Sequence, residues 1–521
     1  MLHRKRLGSF RRLAVGVVML GVAGVGMGMV WNVSTFSQLR DAGRYALPGD
    51  EIVIAPGQYH VTTALYITTP NLVFRGATGN RDDVVLYGNG MNVNSGPTEC
   101  FYPAADGVEL HNVTIRDFWH HGIHITGTGS STTDGYADNV VISNVKTINC
   151  GERHIKGSAS SGISRNVLIE NLWMEQTEEY VRRPGHPVDE YNYIGGIDAM
   201  HIDGWTIRDS TAVDIRGVTG YSRAAIFLWN GVSDVTIERN RIVRCGHGIS
   251  IGNPSGPTSD NNHTYPYHAE GGVICNNFIL RRQKEYVEEE DDEKVIYNWA
   301  LELDNVKDFE VHNNTIYSHA AAYGRLIEIN DTGDVGKVTN LDMRNNIIRG
   351  GVKDAAVGDW SHAVLVAAGN LVDTTGAVVR TDWFVDPLAG DLHLTAAALA
   401  AIDAGVSLAK VLDDFDTGIR SGLPDMGADE FQIPSPGDAN QDGKVGIADL
   451  VALADHYGLV GIPSWAQGDF NRDGVVGIAD LSILADHYGE TPGSGGSVPE
   501  PATLCLFAAG ALCLRARRRR R

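Results

Sequence analysis

Two groups of residues in this sequence carry chemistry by type and spacing. The first lies in a series of short segments: G-I-H-I-T (122–126), R-H-I-K (153–156), G-I-D-A-M-H (196–201), A-I-F-L-W-N (225–230), G-I-S-I-G (248–252), A-L-E-L-D (300–304) and L-I-E-I-N (326–330). Strand alternation sends Ile123, Ile155, Ile197, Ile226, Ile249, Leu301 and Ile327 to one side. The other side then collects His124, His154, Asp198, Phe227, Ser250, Glu302 and Glu328, with Lys156, His201 and Trp229 beside them. Imidazoles, a lysine, carboxylates and aromatics on one face suit a sugar chain, because rings stack on aromatics and polar groups bond hydroxyls. Elimination from a uronate needs a cation against the carboxylate and a base for the C5 proton. Lys156 or Arg223 supplies the cation, and His154, His201 or Lys156 the base. Hydrolysis needs two carboxyl groups, and Asp198 with Glu152 is the best pair. The expected catalytic set is therefore His154, Lys156, Asp198 and His201, with Arg223, Trp229 and His124 touching substrate. The same residues also suit a solvated face without chemistry. His120, His121 and His124 are candidate metal ligands, but alternation sends His121 and His124 to opposite faces.

The second group is a pair of loops. Residues 438–449 read D-A-N-Q-D-G-K-V-G-I-A-D, and residues 469–480 read D-F-N-R-D-G-V-V-G-I-A-D. Calcium takes six to eight oxygens. Asp438, Asn440 and Asp442 offer them in the first loop, and Asp469, Asn471 and Asp473 in the second. Lys444 and Val475 add backbone carbonyls, and Asp449 and Asp480 close each loop at position 12. Leu450 and Leu453, and Leu481 and Leu484, keep helical spacing after each loop. Such paired loops resemble a type I dockerin. That resemblance implies two calcium ions, a small α-helical domain and a cohesin-like partner. Positions 10 and 11, where recognition concentrates, are Ile447-Ala448 and Ile478-Ala479, apolar in both copies.

A repeat must position the first group. The motif runs VTIRD (Asp117), VISN (Asn144), LIEN (Asn171), TIRD (Asp209), TIERN (Asn240), VICNN (Asn277), EVHNN (Asn314) and DMRNN (Asn346), 27–38 residues apart. Two-residue alternation inside such a period predicts stacked strands. An Asn or Asp at each tight bend predicts one stacked series at a single corner. The fold expected over 31–431 is a right-handed parallel β-helix, mainly β. Phe36, Leu39 and Ala42 space as a short helix before L-P-G-D-E-I-V-I-A-P-G-Q-Y (47–59), which resembles the N-terminal cap of such proteins. G-E-R-H-I-K-G (151–157), W-F-V-D-P-L-A-G-D-L-H-L (383–394) and P-D-M-G-A-D-E-F (424–431) resemble secreted bacterial β-helix proteins. More distantly, the resemblance extends to polysaccharide lyases and pectinolytic hydrolases, which implies a polysaccharide partner.

The ends concern targeting. Arg4, Lys5, Arg6, Arg11 and Arg12 precede the apolar run Leu13–Val30, so residues 1–30 read as a signal peptide or an N-terminal anchor. Linkers are expected at 432–437 and 490–497, on either side of the loop pair at 438–489. Residues 498–521 hold Val498-Pro499-Glu500-Pro501, apolar Ala502–Leu514, and a basic end at Arg515 and Arg517–Arg521. That order resembles a PEP-CTERM sorting signal, which implies exosortase-type machinery, contact with the membrane through the termini, and export to a bacterial envelope or beyond. The chain has 43 basic and 64 acidic residues in 521. Eleven basic residues lie in the two ends, leaving 32 against 64 elsewhere. A body this acidic is no nucleic-acid binder.

Overall fold

The computed structural model describes residues 28–127, 136–157, 162–179, 192–218, 220–253, 258–259, 264–281, 299–319, 326–330, 338–351, 368–420, 422–432, 435–440, 443–461, 465–471 and 473–490. The apolar run at the N-terminus up to residue 27, the acidic segment Glu288–Glu293, Asp442 and the sorting segment lie outside them. The chain divides into two units, Met1–Glu430 and Phe431–Arg521.

The first unit is a parallel β-helix. Its strands are rich in β-branched residues, and each pairs in parallel with the strand one coil away. Inward positions therefore stack in rows. One row runs Ile52, Phe74, Leu110, Ile142, Ile169, Ile207, Ile237, Ile274, Val311 and Met343 in continuous register. All ten are at most 1% exposed. Burying each such side chain contributes roughly 1.5–3 kcal/mol, so the core is a column built coil by coil. A bent 22-stranded sheet forms most of the wall, and a nine-stranded sheet from Leu65–Ile67 to Ile327–Asn330 forms another side. The expected helix is present as Phe36–Tyr45, capped by the Thr35 hydroxyl accepting from Gln38 N, and it buries Leu39 and Ala42 against the first coil. Met29 and Val30 already belong to this unit: Val30 pairs with Glu51, and Met29 N donates to Asp50. The expected boundary at 30/31 therefore falls inside the first strand. Its other end falls at Glu430.

The asparagine series is only partly as expected. Asn240, Asn277, Asn314 and Asn346 do stack at one corner, joined by Asn370, and none is more than 4% exposed. Each side-chain amide donates to the carbonyl of its neighbour on the next coil: Asn240 to Asn277 at 3.0 Å, Asn277 to Asn314 at 2.9 Å, Asn314 to Asn346 at 3.0 Å, and Asn346 to Asn370 at 2.7 Å. Asn144, Asn171 and Asp209 stand one position earlier. They belong to a left-handed corner shared with Asn112, Arg239, Asn276, Asn313 and Asn345, all at φ between +48° and +57°. Asp117 pairs with Asn149 at a different corner. The motif therefore spans three columns: two are left-handed corners, where Asn and Asp are tolerated, and the Asn240 column is instead held by its ladder of side-chain amide bonds.

The C-terminal part of this unit returns along the second of these columns. Asn276 Nδ2 donates to Asp413 O, Asn313 Nδ2 to Asp425 O, and Asn345 Nδ2 to Val406 O. Arg239 pairs with Asp413 at 2.9 Å. Cys100, Cys150, Cys245 and Cys275 are buried free thiols that serve as packing.

The second unit places one helix after each loop, Ile447–His456 and Ile478–Asp486. Val445, Leu453, Phe470, Val476, Leu481 and Leu484 form its core.

Candidate active site on the nine-stranded sheet

The sheet fixes which outward residues are neighbours. Lys156 pairs with His124 on one side and Asp198 on the other, and Asp198 with Phe227. Ser250, Glu302 and Glu328 continue the column. Lys156, not His154, is therefore the residue in the outward row.

His154 is a correction. It is 0% exposed, and its Nδ1 lies 2.8 Å from Thr147 Oγ1 in the interior. Burial pushes its pKa down to about 3, so it is a neutral core residue and cannot reach substrate. Alternation fails because the chain turns just before each central apolar residue. The position of His154 is shared by Gly122, Gly196, Ala225, Gly248, Ala300 and Leu326, all buried. A Cβ on Gly122 would meet Cys150 Sγ at 2.9 Å, and one on Gly196 would meet Met174 Sδ at 3.1 Å. Two successive residues thus point inward. The recurrence of small residues before the Ile or Leu was the available signal.

The same turn brings Arg153, which the sequence did not single out, and His121 to the outward side. Arg153 Nε lies 2.5 Å from Asp198 Oδ2, and Lys156 Nζ lies 2.9 Å from Asp198 Oδ1. Trp229 Nε1 donates to the same Oδ1 at 3.2 Å. The Arg153 and Asp198 side chains are 3% exposed and that of Lys156 is 15% exposed. Burial alone would raise the Asp198 pKa. Lys156 and Arg153 outweigh it and hold the carboxyl well below the usual carboxylate range. Burial lowers the Lys156 pKa, with Asp198 offsetting part of the shift. Tyr193 lies under both guanidinium groups, 4.4 Å from Arg153 Cζ and 5.9 Å from Arg223 Cζ. Trp229 stacks on Phe227 with centroids 5.4 Å apart.

Lys156, Asp198 and Trp229 are thus in contact, and Arg223 joins them through Tyr193. His201 is different. It occupies the left-handed turn beyond the strand, is 3% exposed, and packs its ring on Tyr265 at 5.8 Å. His124 is held by Glu99, with Nδ1 2.8 Å from Glu99 Oε2, and its ring meets Tyr102.

In the second unit, Gly443 N donates to Asp438 Oδ2, and Gly474 N to Asp469 Oδ2. Asp449 accepts from Ala439, Asn440 and Gly446, and Asp480 repeats this with Phe470, Asn471 and Gly477. Asn440, Lys444, Asp473 and Val475 lie in the described parts of the loops.

Residues 497–521 match the model of the PEP-CTERM protein-sorting motif. The chain therefore carries a signal for export and sorting to the bacterial envelope or surface. No curated protein sequence matches the chain. Among solved structures, the pectate lyase Pel9A aligns with 14% identity and a TM-score of 0.45, covering 78% of this chain and 98% of that one. The alginate lyase from Paenibacillus sp. str. FPU-7 aligns with 14% identity and a TM-score of 0.34, covering 60% and 99%. The N-terminal fragment of bacteriophage Phi29 gene product 12 aligns with 13% identity and a TM-score of 0.38, covering 60% and 54%.

Proposed function

We propose that the exported β-helix acts on a uronate-containing polysaccharide by β-elimination, with Lys156 as the base. The observation that supports this reading is the outward Arg153–Asp198–Lys156 cluster. It holds a largely buried ammonium and the Arg153 guanidinium on one carboxylate, with Arg223 on the same Tyr193 ring as Arg153. A uronate carboxylate against the guanidinium groups acidifies C5. Lys156 Nζ in its neutral form takes the C5 proton and returns it to the glycosidic oxygen at C4. The C5–H and C4–O bonds break, a C4–C5 double bond forms, and the new hydroxyl keeps the proton. Hydrolysis fits less well. Asp198 is ionised and both its oxygens accept hydrogen bonds from charged or indole donors, so it is no general acid.

The test is wild-type protein against polyuronates, read by absorbance of the unsaturated product. Lys156→Ala is expected to lower turnover at least about 100-fold, the lower range for a general base. Full activity in that variant would end this assignment. Binding of polyuronate without product would instead favour a non-catalytic glycan-binding or structural face. The closure of Asp198 by Arg153, Lys156 and Trp229 is the feature that supports that second reading.

The second unit is proposed to bind two calcium ions and to dock a cohesin-like protein. Asp469 Oδ1 is buried with no hydrogen-bond partner among the described residues, and a cation in the loop would satisfy it. Ile447 and Ile478 are 65% and 67% exposed at matching positions, an apolar pair available to a partner. Equilibrium dialysis of the full chain is expected to lose two calcium ions per chain in the Asp438→Ala/Asp469→Ala variant. An unchanged count would refute the loop sites.

A further inference from the structure

Glu99, His121 and His124 bring a carboxylate and two imidazoles together one strand away from Lys156. A ligand atom of each lies within 4.8 Å of those of the other two. Glu99 Oε2 is 2.8 Å from His124 Nδ1, and Glu99 Oε1 is 4.0 Å from His121 Nε2. The two imidazole rings meet edge-on with centroids 5.2 Å apart. The turn that buries Gly122 makes this possible, since strict alternation would have parted His121 from His124. Glu99 is 7% exposed and His121 9%.

His121 is the telling residue. Its Nδ1 is buried with no hydrogen-bond partner among the described residues. Its Nε2 stands beyond hydrogen-bond reach of Glu99. A buried polar atom left in this state costs roughly 1–3 kcal/mol and calls for an explanation. The surroundings are arranged as support for a ligand set. The Tyr102 hydroxyl bonds Glu99. At the partly exposed edge, His120 Nδ1 lies 3.9 Å from Glu99 Oε1, and His120 Nε2 lies 3.5 Å from Glu152.

We propose that Glu99, His121 and His124 bind one divalent transition-metal ion of the zinc class, with water or His120 completing a four-coordinate shell. Two imidazoles and one carboxylate suit zinc, cobalt or nickel, whereas calcium and magnesium want oxygen donors throughout. Zinc–ligand distances of about 2.0–2.2 Å ask tetrahedral donors to close to roughly 3.3 Å. The Glu99–His124 pair, at 2.8 Å, opens toward that spacing on binding, and the Glu99–His121 pair, at 4.0 Å, closes toward it. Glu99 and Glu152 supply negative charge against the ion.

Cobalt(II) added to the full chain in excess calcium tests the site, because calcium occupies oxygen-rich loops and cobalt reports nitrogen ligation by its visible absorption. One equivalent is expected to give a d–d band that zinc abolishes. Glu99→Gln and His124→Gln are each expected to weaken cobalt binding at least about tenfold, whereas Lys156→Ala is expected to leave the band unchanged. Absence of a band in the wild type would overturn the proposal. So would a band that survives both substitutions, which would place the ion elsewhere, for example at the His393, Asp416 and Asp429 group. No polysaccharide is present in this experiment, so its outcome is independent of the elimination reading.

Discussion

Asn277→Leu is expected to lower the unfolding free energy of the β-helix by about 3–6 kcal/mol. Asn277 Oδ1 accepts from both the backbone N and the Nδ2 of Asn240. Its Nδ2 donates to Ile237 O, Cys275 O and Asn314 Oδ1, all between buried groups. Leucine has similar volume and offers neither a donor nor an acceptor. Several buried groups then lose their partner at once, at roughly 1–3 kcal/mol each before relaxation. The comparison is Asn144→Gly, at the partly exposed left-handed corner. It loses bonds to Gly79 O and Asn112 Oδ1, but glycine accepts the positive φ without strain. That variant is expected to stay within about 1 kcal/mol of wild type. Denaturant midpoints at unchanged slope measure both. Equal losses would mean that the buried ladder is no stronger than the surface one.

Asp198→Leu is expected to cost about 3–5 kcal/mol, because it leaves Arg153 buried without its counter-charge and beside Lys156. Adding Arg153→Met to the same chain is expected to recover much of the loss, since the uncompensated charge goes with it. Lys156→Met alone is expected to cost less than Asp198→Leu, because Arg153 still pairs with Asp198. A double variant as unstable as Asp198→Leu would show that the cluster is held by packing rather than by charge.

The coil architecture was legible because its signal is periodic. Ile123, Ile155, Ile197, Ile226, Ile249, Leu301 and Ile327 recur on successive coils and face inward as expected. The paired loops and their helices were legible for the same reason, as two copies of one pattern. The site was less so. Strict alternation placed His154 outward, whereas one turn per coil sends it into the core and puts Arg153 and His121 outside. A phase change in backbone direction leaves composition untouched. Only the small residues at Gly122, Gly196 and Gly248 mark it. Asp198, Trp229 and Lys156 survived the shift because they follow the turn. The partnership of Glu99 with His121 and His124 was hidden because Glu99 arrives from a different coil.

The return of the C-terminal segment along the corner has a consequence for how the molecule comes apart. A plain solenoid frays from its ends, since each coil touches only its neighbours. Here Asp413 is tied to Arg239 and Asn276, Asp425 to Asn313, and Val406 to Asn345. Those bonds join residues 61–174 positions apart, across several coils. The last coils therefore cannot peel away singly until the segment lets go. Hydrogen exchange should report one shared opening energy for the described strands between Arg239 and Asn345 rather than a gradient toward the C-terminal end.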